Sequence, residues 1–261
     1  MKKNLTKRPD SPDHYMRTQL LFLTILATSF TLPCPGQEIV TAHKPECVIL
    51  LHGLMRTSTS MNSLADALQE EGFVVVNQEY PSRNHPIEEL ADLAVGNGLS
   101  TCRKADTQRV HFVTHSLGGI LVRYYLAENN IPELGRVVML APPNQGSALV
   151  DLMALFPELE DITGPAGYQL GTKENSVPVK LGAANFEVGI ITGDHTVNPV
   201  MSAYLESPND GKVTVESARL EGMTDFLVVP HSHPFIMRNE NVIGQTIYFL
   251  YFGKFEKSGS E

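Results

Sequence analysis

The stretch from Arg109 to Tyr125, RVHFVTHSLGGILVRYY, constrains the fold of this chain more than any other. Its first part is β-branched, aromatic or histidine, which is typical of a short buried strand. Its last part carries apolar residues at helical spacing, and Ser116 lies where the two parts join. A serine at such a turn sits at a helix N-terminus, where free N–H groups and the helix dipole favour developing negative charge. Ser116 is therefore predicted to be a nucleophile.

The turn around Ser116 must be tight, so the residues two before and two after the serine have to be small. Gly118 meets this requirement on the helix side. Thr114 stands where the pattern G-x-S-x-G has its first glycine, which adds crowding that a threonine can tolerate. A chance serine–glycine turn after a strand is the competing interpretation, and the strand–helix context favours the nucleophile.

Strands and helices alternate along the rest of the chain, which predicts a mostly parallel, doubly wound α/β sheet. Strands are indicated at residues 47–54, 73–76, 110–114, 137–140, 188–193 and 226–229, and the continuous apolar run at 47–54 is typical of a strand buried on both faces. Helices are indicated at residues 61–71, 87–95 and 239–252, with Gly96 and Gly98 loosening the end of the second. One domain is predicted over residues 37–253, followed by a disordered tail at 254–261.

The first 36 residues are typical of a targeting segment. Basic residues precede an apolar run from Leu20 to Leu32, and a Pro/Gly break follows it. This pattern predicts a secretory signal peptide or an uncleaved N-terminal anchor, and hence a periplasmic, secreted or membrane-anchored protein. Removing residues 1–36 changes the net charge from −9 to −12, because five basic and two acidic residues leave.

An acidic chain without a basic patch is a poor partner for nucleic acid, and no nucleic-acid binding is predicted. No cysteine–histidine spacing matches a metal site, so neither metal nor cofactor is expected. Outside the leader only Cys47 and Cys102 remain. An even pair in an exported domain suggests a disulfide, and two buried free thiols are the alternative.

Four segments together resemble the α/β-hydrolase superfamily, in particular exported bacterial esterases and lipases. They are LLHGL (50–54), YPSR (80–83), VTHSLGGILVR (113–123) and LAPPNQGS (140–147). The likeness extends from about Cys47 to Phe255 and implies an α/β-hydrolase fold. It also implies that the backbone N–H groups of Leu54 and Leu117 form an oxyanion hole, with His52 as a structural residue bracing the turn.

The same resemblance implies a catalytic acid and a histidine after the serine in the chain. Asp210 lies in an N-D-G-x-V segment like the one that carries the acid in bacterial lipases, whereas Asp194 follows a strand at the position usual for the acid. His233, in SHPFIM, fits the family pattern better than His231 in the same loop. Asp210 and His233 are preferred, with Asp194 and His231 as alternatives.

An insertion that runs from the PPNQGS turn to Lys180 resembles the lid or acyl pocket of lipases, and an ordinary covering loop is the alternative. The leading functional hypothesis is a serine hydrolase of carboxylic, including lipid, esters that works through an acyl-enzyme on Ser116. A small ester or lipid is the expected partner, with membrane-surface contact through the lid or the anchor. The alternatives are an acyltransferase that uses a lipid or sugar alcohol, and a non-catalytic binding module.

Overall fold

The computed structural model describes residues 44–156 and 160–257, and the account below concerns these residues. The predicted signal peptide or anchor at residues 1–36 lies outside them, so its role stays a prediction. Within the described part of the chain, no helix combines the length and the apolar character needed to cross a membrane.

The centre of the fold is a six-stranded sheet in which every neighbouring pair of strands is parallel. The strand order is β2-β1-β3-β4-β5-β6. The predicted class, a parallel doubly wound α/β sheet, is confirmed. The strands are β1 (Glu46–Leu51), β2 (Val74–Gln78), β3 (Arg109–His115), β4 (Leu134–Leu140), β5 (Val188–Gly193) and β6 (Asp225–Val229).

Helices cover both faces of this sheet, which explains why its strands are continuous apolar runs. In β1, Cys47, Ile49 and Leu51 belong to the core on one face, and Val48 and Leu50 to the core on the other. The helices are α1 (Asn62–Glu70), α2 (Ile87–Ala91), α3 (Asn97–Lys104), α4 (Leu117–Glu128), α5 (Ala148–Met153), α6 (Glu160–Tyr168), α7 (Val177–Lys180), α8 (Pro199–Ser202), α9 (Val215–Ala218) and α10 (Glu240–Phe252).

The helix that was expected to loosen at Gly96 and Gly98 continues to Lys104. A π-helical turn over Asp92–Gly96 joins α2 to α3 without a break. A Cβ on Gly98 would lie 2.8 Å from Cγ2 of Ile49. The prediction was wrong here because this glycine lets the helix approach β1 closely rather than ending it.

Cys47 and Cys102 form a disulfide, which settles the alternative that the sequence left open. Their sulfur atoms are bonded, their Cα atoms lie 5.8 Å apart, and both side chains are fully buried. The bond ties β1 to α3 on the face of the sheet that carries α2 and α4.

The C-terminal end is ordered further than predicted. Helix α10 ends at Phe252 and is capped by Gly253, which adopts the left-handed conformation with φ of 69°. Phe255 is buried against Phe249, and its N–H donates to Oδ2 of Asp225 over 2.8 Å. The predicted start of a disordered tail at residue 254 was therefore wrong, because an aromatic residue after the helix returns to the core. Residues 258–261 lie outside the described part.

The strand order also fixes where a site can form. From β1 the chain reaches β2 on one side, while β3 and the later strands lie on the other side. The carboxyl ends of β1 and β3 therefore flank the point at which the direction of winding reverses. In open parallel sheets, ligands bind in the crevice at this point.

Candidate active site

Ser116 occupies the turn between β3 and α4, at the carboxyl end of the sheet. Its φ of 53° and ψ of −118° are unusual for a non-glycine residue, and such strain is concentrated at functional sites. A Cβ on Gly118 would lie only 2.6 Å from the carbonyl oxygen of Leu51, so glycine is required there. A Cβ on Gly119 would lie 3.2 Å from Oγ1 of Thr114, so the second glycine makes room for the threonine.

Ser116, His233 and Asp210 form one chain of hydrogen-bonding side chains. Nε2 of His233 lies 3.2 Å from Oγ of Ser116, and Nδ1 lies 2.8 Å from Oδ2 of Asp210. Asp210 and His233 are 1% and 4% exposed, so solvent competes little for these contacts. An ionised carboxylate only accepts hydrogen bonds, which assigns the proton to Nδ1 and leaves the Nε2 lone pair facing the serine hydroxyl.

The acid is held by its own turn. Oδ1 of Asp210 accepts from the backbone N–H groups of Lys212 and Val213 over 2.9 and 2.8 Å, which leaves Oδ2 for the imidazole. Gly211 has a φ of 96°, which permits this tight turn. The N–H of His233 also donates to the carbonyl oxygen of Asp210 over 3.0 Å. One side-chain hydrogen bond and one backbone hydrogen bond therefore both hold His233 against Asp210.

The two alternative residues lie elsewhere. Asp194 is exposed at the end of β5, and His231 is half-buried in the loop after β6. Neither side chain contacts His233 or Ser116 among the described contacts. A Cβ on Gly193 would lie 1.9 Å from the carbonyl oxygen of His231, so a glycine at the end of β5 allows the histidine loop to cross it closely.

Two backbone N–H groups are available beside the serine. Leu117 is the first residue of α4, and Leu54 follows β1 across the crevice. Neither N–H donates to a protein acceptor among the described residues. A Cβ on Gly53 would lie 3.2 Å from Cβ of Ser116, so glycine lets this loop approach the elbow. The pair has the placement that the oxyanion-hole hypothesis requires.

The loop that carries Leu54 is braced by His52 and by residues of the YPSR segment (80–83). The hydroxyl of Tyr80 donates to the carbonyl oxygen of His52, and Oγ of Ser82 accepts from the N–H of Met55 over 3.2 Å. The imidazole of His52 is fully buried and stacks on Tyr80 with ring centroids 4.0 Å apart. Burial lowers the pKa of His52. The neutral ring is well suited to the bracing role expected for it.

His115 was missed by the sequence analysis, because the residue before the serine carries no signal of its own. Its Nε2 lies 3.0 Å from the carbonyl oxygen of His233, so the N–H donates and positions the histidine loop. The ring is almost fully buried, and its Nδ1 has no hydrogen-bond partner among the described residues. Burial first, and then the electrostatic interaction with the neighbouring His233, hold the pKa of His115 well below its usual value.

A cavity of about 320 Å³ opens beside Ser116 and His233. The segment between β4 and β5 supplies most of its apolar wall, and Arg56 and Lys212 supply positive charge. The apolar lining consists of Leu54, Met55, Pro143, Leu149, Val150, Met153, Ile162, Leu170 and Val213. This shape and lining suit an apolar chain.

Hydrogen bonds to α2 and α4 are among those that fasten the segment between β4 and β5 to the main body. Nε2 of Gln169 donates to both carboxylate oxygens of Glu88 over 2.8 and 2.9 Å, and Oε1 accepts from the N–H of Ile87. The buried Arg123 of α4 donates to the carbonyl oxygens of Asn144, Pro178 and Gly182 and to Oδ1 of Asn144. Burial lowers the pKa of Arg123 to about 10. Whether this segment moves as a lid stays a prediction.

Comparison with known proteins agrees with this geometry. Residues 48–233 match the model of a family described as the alpha/beta hydrolase family. No curated protein matches the sequence. The mature form of the lipase BlEst2 from Bacillus licheniformis is similar in structure, with a TM-score of 0.64 and 21% identity over 83% of this chain and 96% of that one.

A second similar structure is the phospholipase PlaB from Legionella pneumophila. The TM-score is 0.61 at 21% identity, over 79% of this chain and 58% of that one. At such identities the likeness establishes the fold. The site itself rests on the contacts of Ser116, His233 and Asp210.

Proposed function

Because this chain belongs to the alpha/beta hydrolase family, we propose that it is a serine hydrolase that cleaves carboxylic esters. The observation that carries the proposal is the relay from Ser116 through His233 to Asp210, set beside an apolar cavity. A nucleophile, a base and a group that orients the base are the parts that acyl transfer requires.

In the proposed reaction, Oγ of Ser116 attacks the ester carbonyl while Nε2 of His233 takes its proton. The carbonyl oxygen becomes an oxyanion facing the N–H groups of Leu54 and Leu117. The C–O bond to the alcohol then breaks, and His233 gives its proton to the leaving oxygen. Water repeats the sequence on the acyl-enzyme, which releases the acid and restores the hydroxyl of Ser116. Asp210 stabilises the imidazolium in both halves.

The cavity lining supports an acyl chain as one part of the substrate, and hence esters of lipid type. Large apolar side chains are also exposed: Met55 and Ile162 line the cavity, and Leu155 and Phe156 follow shortly after Met153, which lines it too. We propose that these residues contact a membrane or lipid surface, since exposed apolar patches mark such sites. The Cys47–Cys102 disulfide supports an exported protein, because disulfides persist in oxidising compartments.

Hydrolysis of p-nitrophenyl butyrate tests the proposal. Ser116→Ala should lose at least about 10³-fold in kcat/KM while it keeps the melting temperature, because the nucleophile is gone and the fold is not. Ser100→Ala is the matched control, since this exposed serine of α3 lies away from the cavity. Near-normal turnover by Ser116→Ala would show that the assignment is wrong.

A further inference from the structure

We propose that the cavity beside Ser116 holds an anionic group of the substrate, so that the preferred ester carries a carboxylate or a phosphate. The proposal rests on the proposed ester hydrolysis and names its substrate class. Its basis is a pair of cations, Arg56 and Lys212, which line the same cavity as Ser116 and His233.

Neither cation is neutralised by the protein. Nη2 of Arg56 donates to the carbonyl oxygen of Pro234 over 3.3 Å, which is a neutral acceptor. Among the described residues, no carboxylate oxygen lies within 4.0 Å of a side-chain nitrogen of Arg56 or Lys212. Several exposed basic residues elsewhere do have carboxylate partners, among them Lys44 and Arg103. The cavity therefore contains two cations that form no ion pair with the described residues.

These charges act on the ionisable groups around the cavity. The charges of Arg56 and Lys212 reach this region, since both help to lower the pKa of the adjacent His115. Desolvation and then Arg56 lower the pKa of Lys212, while Asp210 acts in the opposite direction. A bound anion would offset the repulsion between Arg56 and Lys212.

The pair also stands out against the charge of the whole chain, which is −9. Arg56 is half-buried and Lys212 is exposed where they line this largely apolar cavity. Cations beside low-dielectric walls attract anions more strongly than the same charges on an open surface, because such walls focus the field. An ester with an anion next to an apolar chain matches this lining, and a wholly neutral ester leaves both cations unpaired.

Arg56 and Lys212 differ in the structural contacts that their side chains make. Arg56 also holds the carbonyl of Pro234, next to His233, so its removal disturbs the histidine loop as well. Lys212 donates to Asp210 through its backbone N–H and not through its side chain. The side chain of Lys212 makes no hydrogen bond to the described residues. Lys212→Met therefore removes the charge and keeps the support of the acid.

The experiment compares two pairs of short esters, since the anion can belong to the acyl or the alcohol part. The acyl pair is p-nitrophenyl hydrogen glutarate against its methyl ester. The alcohol pair is 1-butyrylglycerol 3-phosphate against 1-butyrylglycerol. For each pair, the ratio of kcat/KM for the anionic ester to that for the neutral ester is measured. We expect one pair to give a ratio of about ten or more, as a charge-assisted contact provides.

Variants then assign the preference. Lys212→Met should reduce the ratio about tenfold, and Arg56→Lys, which keeps the charge, should retain most of it. Lys173→Met is the matched control: it removes an exposed charge that does not line this cavity, and it should leave the ratio unchanged.

A ratio at or below one for both pairs, with turnover that depends on Ser116, overturns the anion site and leaves ester hydrolysis standing. A high ratio that Lys212→Met and Arg56→Gln both leave unchanged also overturns it. Absence of Ser116-dependent turnover for all four esters refutes the proposed function, and the anion site with it.

Discussion

Replacing Asp210 by asparagine should switch the tautomer of His233. The backbone N–H groups of Lys212 and Val213 both point at Oδ1 of Asp210, so the amide oxygen of an asparagine would keep this place. Its NH₂ group would then face Nδ1 of His233, which has to become an acceptor. The imidazole proton moves to Nε2, opposite Oγ of Ser116, and the base can no longer take the serine proton.

The expected loss in kcat is about 10⁴-fold, as in the serine-protease example of the same exchange, which corresponds to about 5.5 kcal/mol in the barrier. The expected loss in stability is smaller. Two backbone hydrogen bonds change from a charged to a neutral acceptor, at about 1 kcal/mol each. For a domain of this size that lowers the melting temperature by about 4–8 °C. Activity and stability therefore respond on very different scales.

The assay is steady-state kinetics on p-nitrophenyl butyrate with melting curves in parallel. Asp194→Asn is the matched control, because this carboxylate is exposed at the end of β5 and does not contact His233. It should keep most activity. Loss of activity in Asp194→Asn together with near-normal activity in Asp210→Asn would refute the reasoning.

Three further results are expected. Replacing both Cys47 and Cys102 by alanine should lower the free energy of urea unfolding by about 4 kcal/mol, because the bridge closes a loop of 55 residues. Reductant should then have no further effect on the variant. Equal stability of the native protein with and without reductant would contradict the bridge. Because the pKa of folded His115 is depressed, the unfolded chain binds the extra proton, so stability should fall as pH drops below about 6.5, by up to about 1.4 kcal/mol per pH unit. His115→Gln should reduce that slope and His195→Gln, at an exposed site, should not; equal slopes in both variants would refute the assignment. Arg123→Lys should lower the unfolding free energy by about 2–3 kcal/mol, since one ammonium cannot serve the four acceptors of the guanidinium, and an unchanged melting curve would contradict this.

The sequence predicted the parts of this fold that local patterns encode. A continuous apolar run gives a strand buried on both faces, and the serine between β3 and α4 needs only its neighbours to form the turn. Asp210 was preferred over Asp194 because its N-D-G-x-V segment resembles the one that carries the acid in bacterial lipases. In the structure this segment forms a turn whose N–H groups orient the carboxylate. Whether that carboxylate acts in catalysis stays a prediction.

Features that depend on distant parts of the chain escaped the sequence. Gly98 was interpreted as a helix end, and only the position of Ile49 in β1 shows that it serves close packing. Phe255 was placed in a disordered tail, because nothing local indicates that it packs on Phe249. The meeting of Arg56 and Lys212 in one cavity joins residues more than 150 positions apart, and no spacing rule predicts it.

The central claim is that Ser116 is a nucleophile activated by His233. The most direct measurement is labelling of the full chain with a fluorophosphonate, followed by intact mass and peptide mass spectrometry. One phosphonyl adduct per chain is expected, on the peptide that contains Ser116, and His233→Ala should slow its formation by orders of magnitude. Absence of an adduct, or an adduct at another serine that forms equally fast without His233, would contradict the account.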